Sequence, residues 1–137
     1  MIESIVHAVP ARLLGTSPGV RRSVRVVLAY HEDDPLAVHL TFPSHAVCDG
    51  APATWTFARE LLATGRHGAA GQGDVEVRPS GGTWTLLVLR APDGLAHVEL
   101  GTRGVDAFLR HSHRLVPADR ERELLRLDAL IASLLGP

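Results

Sequence analysis

A run of strict alternation, "LAVHLTF" at positions 36–42, places the strongest constraint on the fold of this chain. Large apolar residues occupy its even positions, and small or polar residues occupy its odd positions. In an extended chain successive side chains point to opposite sides, whereas a helix would mix the two sets on every face. The segment therefore predicts a β-strand with one buried face.

Six further segments have strand-like patterns of β-branched or alternating residues, and turn residues such as proline, glycine and aspartate separate them. These segments are 2–14, 20–30, the stretch beginning "TWTF" at 54, 74–79, 83–90 and 95–100. Short strands at roughly ten-residue spacing, joined by hairpin-type turns, predict antiparallel pairing. The chain is therefore expected to build antiparallel β-sheets.

Three helices are predicted among these strands. A short mid-chain helix covers 58–65, and Gly65 is its expected left-handed end. A second helix covers 101–115, and the third begins at Pro117. The third helix has an apolar stripe at helical spacing, formed by Leu124, Leu127, Ile131, Leu134 and Leu135. Such a stripe is usually core, but this one is also wide enough to contact another subunit, and both interpretations stay open. The fold class is α+β, as a single domain over 1–137.

The bulk composition excludes several partners. Fourteen basic and fifteen acidic residues leave a formal net charge of −1, so no overall field attracts nucleic acid or an anionic membrane. No apolar stretch approaches the roughly 20 residues that span a bilayer, and the first residues do not resemble a signal peptide. The one cysteine, Cys48, forms no internal disulfide. We expect a cytoplasmic protein without membrane insertion.

The glycine run "GRHGAAGQGDV" at 65–75 invites comparison with phosphate-binding loops. A Walker loop needs Gly-Lys-Ser/Thr opening a helix, and a dinucleotide fingerprint needs a strand, a turn and then a helix. Here lysine is absent and the run leads from a helix into a strand. The run is therefore predicted to be a tight connection, and no cofactor is expected.

No set of residues completes a catalytic or metal site in the sequence. Among eight histidines only His111 and His113 are close along the chain, and residues two apart on a helix point away from each other. Cys48 precedes a turn, and the acidic run 32–34 lies in a turn that is expected to cap the next element or face water. We predict no catalytic residues, no metal ligands and no enzymatic activity.

Four segments, in this order, resemble the SsgA-like family of sporulation and cell-division proteins of actinomycetes. They are "YHEDDPLAVHLTF" (30–42), "WTFARELLATGRHGAAGQGDVEVRPS" (55–80), "APDGLAHVEL" (91–100) and "VDAFLRHSHRLVP" (105–117). The resemblance spans about 20–135. The chain departs from the family pattern at Glu60, Ala69, Arg78 and the pair Leu100-Gly101, which suggests a divergent paralogue.

The resemblance implies a whirly-like, barrel-like fold of antiparallel strands with packed helices, assembled as a homotrimer. It also implies a non-enzymatic adaptor that acts at division septa through protein–protein contacts, in septum placement and septal peptidoglycan remodelling. The implied partners are FtsZ, another family member, or other division and cell-wall proteins. The runner-up hypothesis is a single-stranded nucleic-acid-binding domain, which the near-neutral charge and the scarcity of tryptophan and tyrosine disfavour.

Motif residues supply the candidate anchors, whether structural or for a partner. They are Tyr30, Trp55, Phe57, Arg59 and Asp74. If they are exposed, aromatic and arginine side chains are the types that carry most interface energy, and if they are buried, they set the positions of strands and helix.

Overall fold

A computed structural model of the chain describes residues 3–15, 19–46, 53–92 and 94–135. Its elements are β1 (Ser4–Leu14), β2 (Arg21–His31), β3 (Ala37–Phe42), a 3-10 turn (Ser44–Ala46), β4 (Ala53–Ala58), α1 (Arg59–Gly65), β5 (Val75–Ser80), β6 (Trp84–Ala91), β7 (Gly94–Gly101), α2 (Thr102–Leu115) and α3 (Ala118–Leu135). Cys48 and the turn predicted to follow it lie outside the described residues.

The strands form one antiparallel sheet in the order β4-β3-β2-β1-β7-β6-β5. Two meanders, β1 to β4 and β5 to β7, are joined where residues 11–14 of β1 pair with residues 97–100 of β7. The predicted antiparallel α+β fold with one mid-chain and two C-terminal helices is confirmed. The predicted sheets are a single sheet, which curves as a half-barrel.

The core lies on the concave side of this sheet. In β3 the alternating residues Val38, Leu40 and Phe42 are buried, as the opening alternation predicts. Helix α2 crosses the same side and inserts the predicted inward residues, of which Val105 and Phe108 are fully buried. Sheet and helix thus bury their apolar faces against each other, which is the packing arrangement of an α+β domain.

Gly65 has a different role from the predicted one. It lies inside α1 and has no positive φ, and the helix is followed by Arg66 in ordinary right-handed geometry. A β-carbon on Gly65 would be 2.3 Å from Cγ1 of Val77. The glycine is required because α1 lies directly against β5 there, so the constraint is close approach and not backbone conformation.

The glycine run after α1 is the predicted tight connection. Ala70 and Val77 exchange two backbone hydrogen bonds of 2.9 Å, which folds the run back on β5. Gly71 has φ +95°, and a β-carbon there would be 2.4 Å from the carbonyl oxygen of Val75. The Ala70 N–H is therefore engaged within the fold and does not face outward as a phosphate-binding loop requires.

Helix α3 contradicts the interpretation of its stripe as monomer core. Glu121 is its single buried residue within the described chain, and the leucines beyond it are half-buried or exposed. The helix continues past the part of the domain that could cover it. A stripe at helical spacing identifies a face that needs a partner, but the sequence does not show which surface supplies one.

Substitution of Gly65 tests the close approach of α1 to β5. Gly65→Ala is expected to lower the free energy of unfolding by about 1–3 kcal/mol, because the new methyl overlaps Val77 in a packed site. Gly68→Ala is the matched control, since nothing lies within 4 Å of its β-carbon position and its φ is not positive. Urea unfolding measures both, and equal stability of the two variants would contradict the packing.

Candidate functional site

Arg59 is the largest fully buried side chain in the described chain. It is the first residue of α1, directly after the extended residue Ala58 that ends β4. Its backbone N–H donates to the carbonyl oxygen of Leu36 at 2.9 Å, which fixes where strand becomes helix. Arg59, Leu62 and Gly65 share the buried face of α1, so the guanidinium points inward beneath the helices.

The guanidinium of Arg59 is satisfied on three sides. Nη2 and Nε donate to Oε2 of Glu121 at 3.1 and 3.3 Å, and Nη1 donates to the carbonyl oxygen of Ser112 at 3.0 Å. The ring of Tyr30 lies 4.8 Å from the guanidinium carbon. Arg59 thereby connects α1 with β2, with the end of α2 and with the start of α3.

The position of this ion pair suits the helix ends. Ser112 lies in the last turn of α2, where carbonyl groups carry partial negative charge, and Glu121 lies in the first turns of α3, where N–H groups carry partial positive charge. A cation at the first site and an anion at the second are each favoured. The two charges of the buried pair therefore compensate each other and also the partial charges at the end of α2 and the start of α3.

Tyr30 closes the turn that follows β2. Its hydroxyl donates to the carbonyl oxygen of Pro35 at 2.8 Å. Burial raises the pKa of the Tyr30 phenol, while the nearby Arg59 cation acts in the opposite direction. The phenol therefore stays protonated as a donor, and the spacing from Tyr30 to the Asp-Pro turn is explained by a hydrogen bond.

The five predicted anchors do not form one site. Tyr30 and Arg59 are in contact, and Phe57 is buried on β4, two residues before Arg59. Trp55 is half-buried in a separate groove, and Asp74 is exposed in the bend before β5. At least three of the five thus build the fold, and a buried side chain is not available as a partner anchor.

An apolar groove of about 340 Å³ surrounds Trp55. Its wall combines the inner ends of several strands, with Leu95 exposed at the rim. The lining residues are Leu13, Leu14, Phe42, Ala46, Ala53, Trp55, Leu89, Leu95, Ala96, His97 and Val98. The lining has two aromatic rings, Phe42 and Trp55, one histidine and no carboxylate or arginine, so the groove offers apolar contact and little directional chemistry.

A second cleft, of about 490 Å³, lies between α1 and the corner of α2 and α3. Glu60 lines it from α1 and His67 from the turn after α1, and His113 and Glu121 line it from the helices opposite. Burial lowers the pKa of His113, and the Arg59 cation lowers it further. His113 is therefore neutral near pH 7, beside a carboxylate that Arg59 already occupies.

Two histidine contacts escape sequence reasoning. His7 Nε2 and His111 Nδ1 are 2.8 Å apart, and the ring centroids of His31 and His39 are 5.2 Å apart. The first pair is separated by 104 residues in the chain. Burial lowers the pKa of His7, and His111 adds to the effect. The sequence does show correctly that His111 and His113 point apart.

Three surface residues, Asp34, His39 and Thr56, form a hydrogen-bonded series in the acid–histidine–hydroxyl arrangement of a catalytic triad. His39 Nε2 lies 3.2 Å from Oδ2 of Asp34, and His39 Nδ1 lies 3.0 Å from Oγ1 of Thr56. The Asp34 side chain is 54% exposed and Thr56 is exposed on the open face of β4. Water screens the series, whereas oxyanion stabilisation depends on a dry site. It acts as a hydrogen-bond network that ties the turn after β2 to β4.

Within residues 3–15, 19–46, 53–92 and 94–135 no three histidine, cysteine, aspartate or glutamate side chains could hold a metal ion. None of the helices in the same ranges has both the length and the apolar character needed to cross a membrane.

The aromatic rings do not form the row of stacking platforms that single-stranded nucleic acid would use. Trp84 stacks on Arg12, Trp55 lines the apolar groove and Tyr30 is buried.

Residues 24–121 match the family described as the Streptomyces sporulation and cell division protein SsgA. Among curated proteins, the sporulation-specific cell division protein SsgB of Kineococcus radiotolerans is 40% identical over 128 residues, covering 90% of this chain and 75% of the relative. SsgB of Streptomyces coelicolor is 38% identical over 114 residues, covering 80% of each chain.

Two solved structures share the fold. One, described with mutations in SsgB that correlate to longitudinal cell division during sporulation of Streptomyces coelicolor, has a TM-score of 0.78 at 33% identity and covers 89% of this chain and 94% of that chain. The other, an SsgA-like sporulation-specific cell division protein of Thermobifida fusca, has a TM-score of 0.76 at 33% identity and covers 97% and 96%.

Removal of the buried cation tests the central role of the ion pair. Arg59→Met is expected to lower the free energy of unfolding by about 3–5 kcal/mol, because it leaves the Glu121 carboxylate buried without a partner. The double variant Arg59→Met/Glu121→Met should recover much of that loss, since no unpaired charge remains. Chemical denaturation of both variants measures the effect, and a double variant less stable than Arg59→Met would contradict it.

The lowered pKa values of His7 and His113 predict a loss of stability in mild acid. Both folded values lie below the ordinary 6.5, so the unfolded chain binds more protons at pH values just below 6.5. The contribution of these two histidines to the free energy of unfolding is fully present above pH 6.5. It is lost as the pH decreases through the lowered pKa values of the folded chain. In His7→Gln/His113→Gln the slope between pH 7 and pH 5.5 should be shallower than in the wild-type chain, and an unchanged slope would contradict the prediction. Thermal unfolding at a series of pH values measures the slope.

Proposed function

The chain belongs to the SsgA family of sporulation and cell-division proteins, and from that premise we propose that it is a non-enzymatic adaptor that binds other division proteins through its surface. We expect it to act at the division septum. The processes it would serve there are septum placement and septal peptidoglycan remodelling. The expected partners are FtsZ, another family member or a cell-wall protein. The support for this setting is the family and the names of the relatives.

The observation that carries the adaptor role is the exposed apolar face of α3. Five large aliphatic side chains on one helix are exposed by 44% to 81%. They are Leu127, Leu130, Ile131, Leu134 and Leu135. Exposed apolar side chains that cluster on one element mark surfaces for association, because burial of their area is the main source of binding free energy.

The spacing along α3 identifies the kind of partner. Leu124, Leu127, Ile131 and Leu134 are separated by three, four and three residues, which is the a/d pattern of a coiled-coil seam. Leu130 and Leu135 widen the seam on both sides. A second copy of the same helix offers a matching seam, so a homo-oligomer is the proposed occupant, and the family resemblance favours a trimer.

The buried ion pair supports this arrangement. Glu121 lies at the base of α3 and is held by Arg59, so the first turns of α3 have a defined position on the domain. Leu124 and Leu125 are half-buried just beyond it. The exposed part of the helix then projects from a rigid base, which lowers the entropic cost of association.

The non-enzymatic part of the proposal rests on what the buried polar groups do. Arg59 and Glu121 pair with each other, Glu99 accepts from Arg12 and Ser80, and the hydroxyls of Thr85 and Thr102 bond to each other. Apart from the Nε–H of Arg12, these groups satisfy one another inside the fold. Their contacts are those of structural polar groups and not of an acid and base held toward a shared cavity.

Deletion of the gene in a sporulating host tests the proposed function. The number or placement of septa, or the shape of the spores, should change, and expression of the wild-type chain should restore them. Affinity capture from the same cells, followed by mass spectrometry, should recover division or cell-wall proteins. Normal septation and normal spores in the deletion strain would refute the proposal.

A charged substitution in the seam of α3 tests its role in association. Ile131→Glu is expected to shift the protein to a smaller species, because a buried carboxylate at the centre of the seam would have no partner. Ala129→Glu is the matched control, since position 129 lies on the opposite side of the helix from the seam. Light scattering after gel filtration measures the mass of each, and an unchanged mass for Ile131→Glu would exclude this seam.

A further inference from the structure

The convex face of the sheet has an arginine-rich region that the proposed function leaves unused. Val9 and Ala11 of β1 are buried on the concave side, so the even-numbered residues of β1 face outward. Strand register places Arg12 opposite Ser23, and Arg25 and Arg21 lie two residues from Ser23 on either side, on the same face of β2. Three arginines thus share one small area, on the side of the sheet away from α2.

A groove of about 520 Å³ crosses this area. Its floor is formed by Pro10 and Ser23, whose side chains are short. Trp84 borders one end, and His45 and Arg25 border the other. Trp84 comes from β6, two strands away, and lies opposite Gly101, so no side chain on β7 separates the indole from β1.

The charges around the groove are unbalanced. Glu99 is the acidic residue of this area and is only 4% exposed. It accepts from Arg12 Nη2 at 2.7 Å and from the Ser80 hydroxyl at 2.7 Å, with Arg21 Nε at 3.7 Å. Three arginines against one carboxylate leave two positive charges in excess.

Two guanidinium groups in the groove have unused donors. No acidic side chain of the described chain lies within ion-pair distance of Arg25. The Nε–H of Arg12 is buried and has no acceptor among the described residues. The Arg12 guanidinium also stacks on Trp84, with 3.9 Å to the ring centroid. Carboxylates and phosphates are the groups whose geometry matches a fixed guanidinium.

We propose that this groove, lined by Arg12, Ser23, Arg25 and Trp84, binds an acidic peptide segment of a partner protein. Carboxylates of the peptide would pair with Arg25 and Arg21 at the rim. An adjacent apolar side chain would lie over Pro10 and the free edge of Trp84. The inference rests on the proposed adaptor function and specifies the chemistry of one partner and the surface it contacts.

The groove favours a peptide over single-stranded nucleic acid. Binding of a nucleic-acid strand relies on several aromatic platforms in succession along a basic track. Here Trp84 is the one tryptophan, tyrosine or phenylalanine that lines the groove, with His45 at the opposite end, and Arg12 already covers one face of the indole. The basic area is also short, because Glu76 pairs with Arg90 on the same side of the sheet.

Fluorescence anisotropy tests the proposal with the peptide Gly-Asp-Glu-Leu-Asp-Glu-Phe-Gly, its amide counterpart with Asn and Gln, and a thymidine oligonucleotide of equal charge. The acidic peptide should bind the wild-type chain, and the amide peptide should not. Arg25→Gln should weaken binding about tenfold, and Arg25→Glu should weaken it more, because charge-assisted hydrogen bonds are lost. Arg110→Gln is the matched control, an exposed arginine on α2 across the sheet.

Four outcomes would overturn the proposal. They are no binding of the acidic peptide at low salt, equal binding of the amide peptide, equal losses in Arg25→Gln and Arg110→Gln, and tighter binding of the oligonucleotide with loss in Arg25→Gln. The last would make the groove a nucleic-acid surface. Arg25 forms no ion pair with the described residues, so its variants should fold, and circular dichroism checks this.

Complementation of the deletion strain separates this proposal from the proposed function. If Arg25→Glu loses the peptide and also fails to restore septation, both stand. If it loses the peptide but restores septation, the groove has no role in division while the adaptor function stands. If the deletion strain divides normally, the adaptor function fails whatever the peptide does.

Discussion

The arrangement of the three helices depends on the burial of one charge. Arg59 is fully buried, and its guanidinium is surrounded by Glu121, the carbonyl of Ser112 and the ring of Tyr30. An unpaired cation in this position would cost several kcal/mol, so these groups must meet before the fold is stable. The Phe-Ala-Arg motif at 57–59 is therefore a structural motif, because it places this cation where strand β4 ends and α1 begins.

The sheet separates the molecule into two sides of different chemistry. Its concave side packs against α2 and is almost wholly apolar. Its convex side holds a buried glutamate, Glu99, among arginines and Ser80. The side chains on the convex side are short near Pro10 and Ser23, which leaves the groove open. Contacts with other molecules can thus use α3 and the convex side without disturbing the core.

Much of the fold could be predicted, because its signals are local. Strand alternation, helical spacing and turn residues act over a few neighbours, and they located the elements to within a few residues. The errors have a common origin in contacts between distant segments. Gly65 is needed because α1 packs directly against Val77 of β5. His7 and His111 are hydrogen-bonded although 104 residues separate them in the chain. No local pattern carries that information.

The sequence by itself determined the helices and strands, the buried faces of the strands and the family. Each of these follows from patterns of residue type among residues that are close along the chain. The tertiary structure decided which motif residues are interior and which are accessible. It buried Tyr30 and Arg59, left the stripe of α3 exposed, and brought arginines from β1 and β2 beside a tryptophan from β6. The physical reason is that the exposure of a side chain and the charges around it depend on residues from distant segments, which only folding brings together.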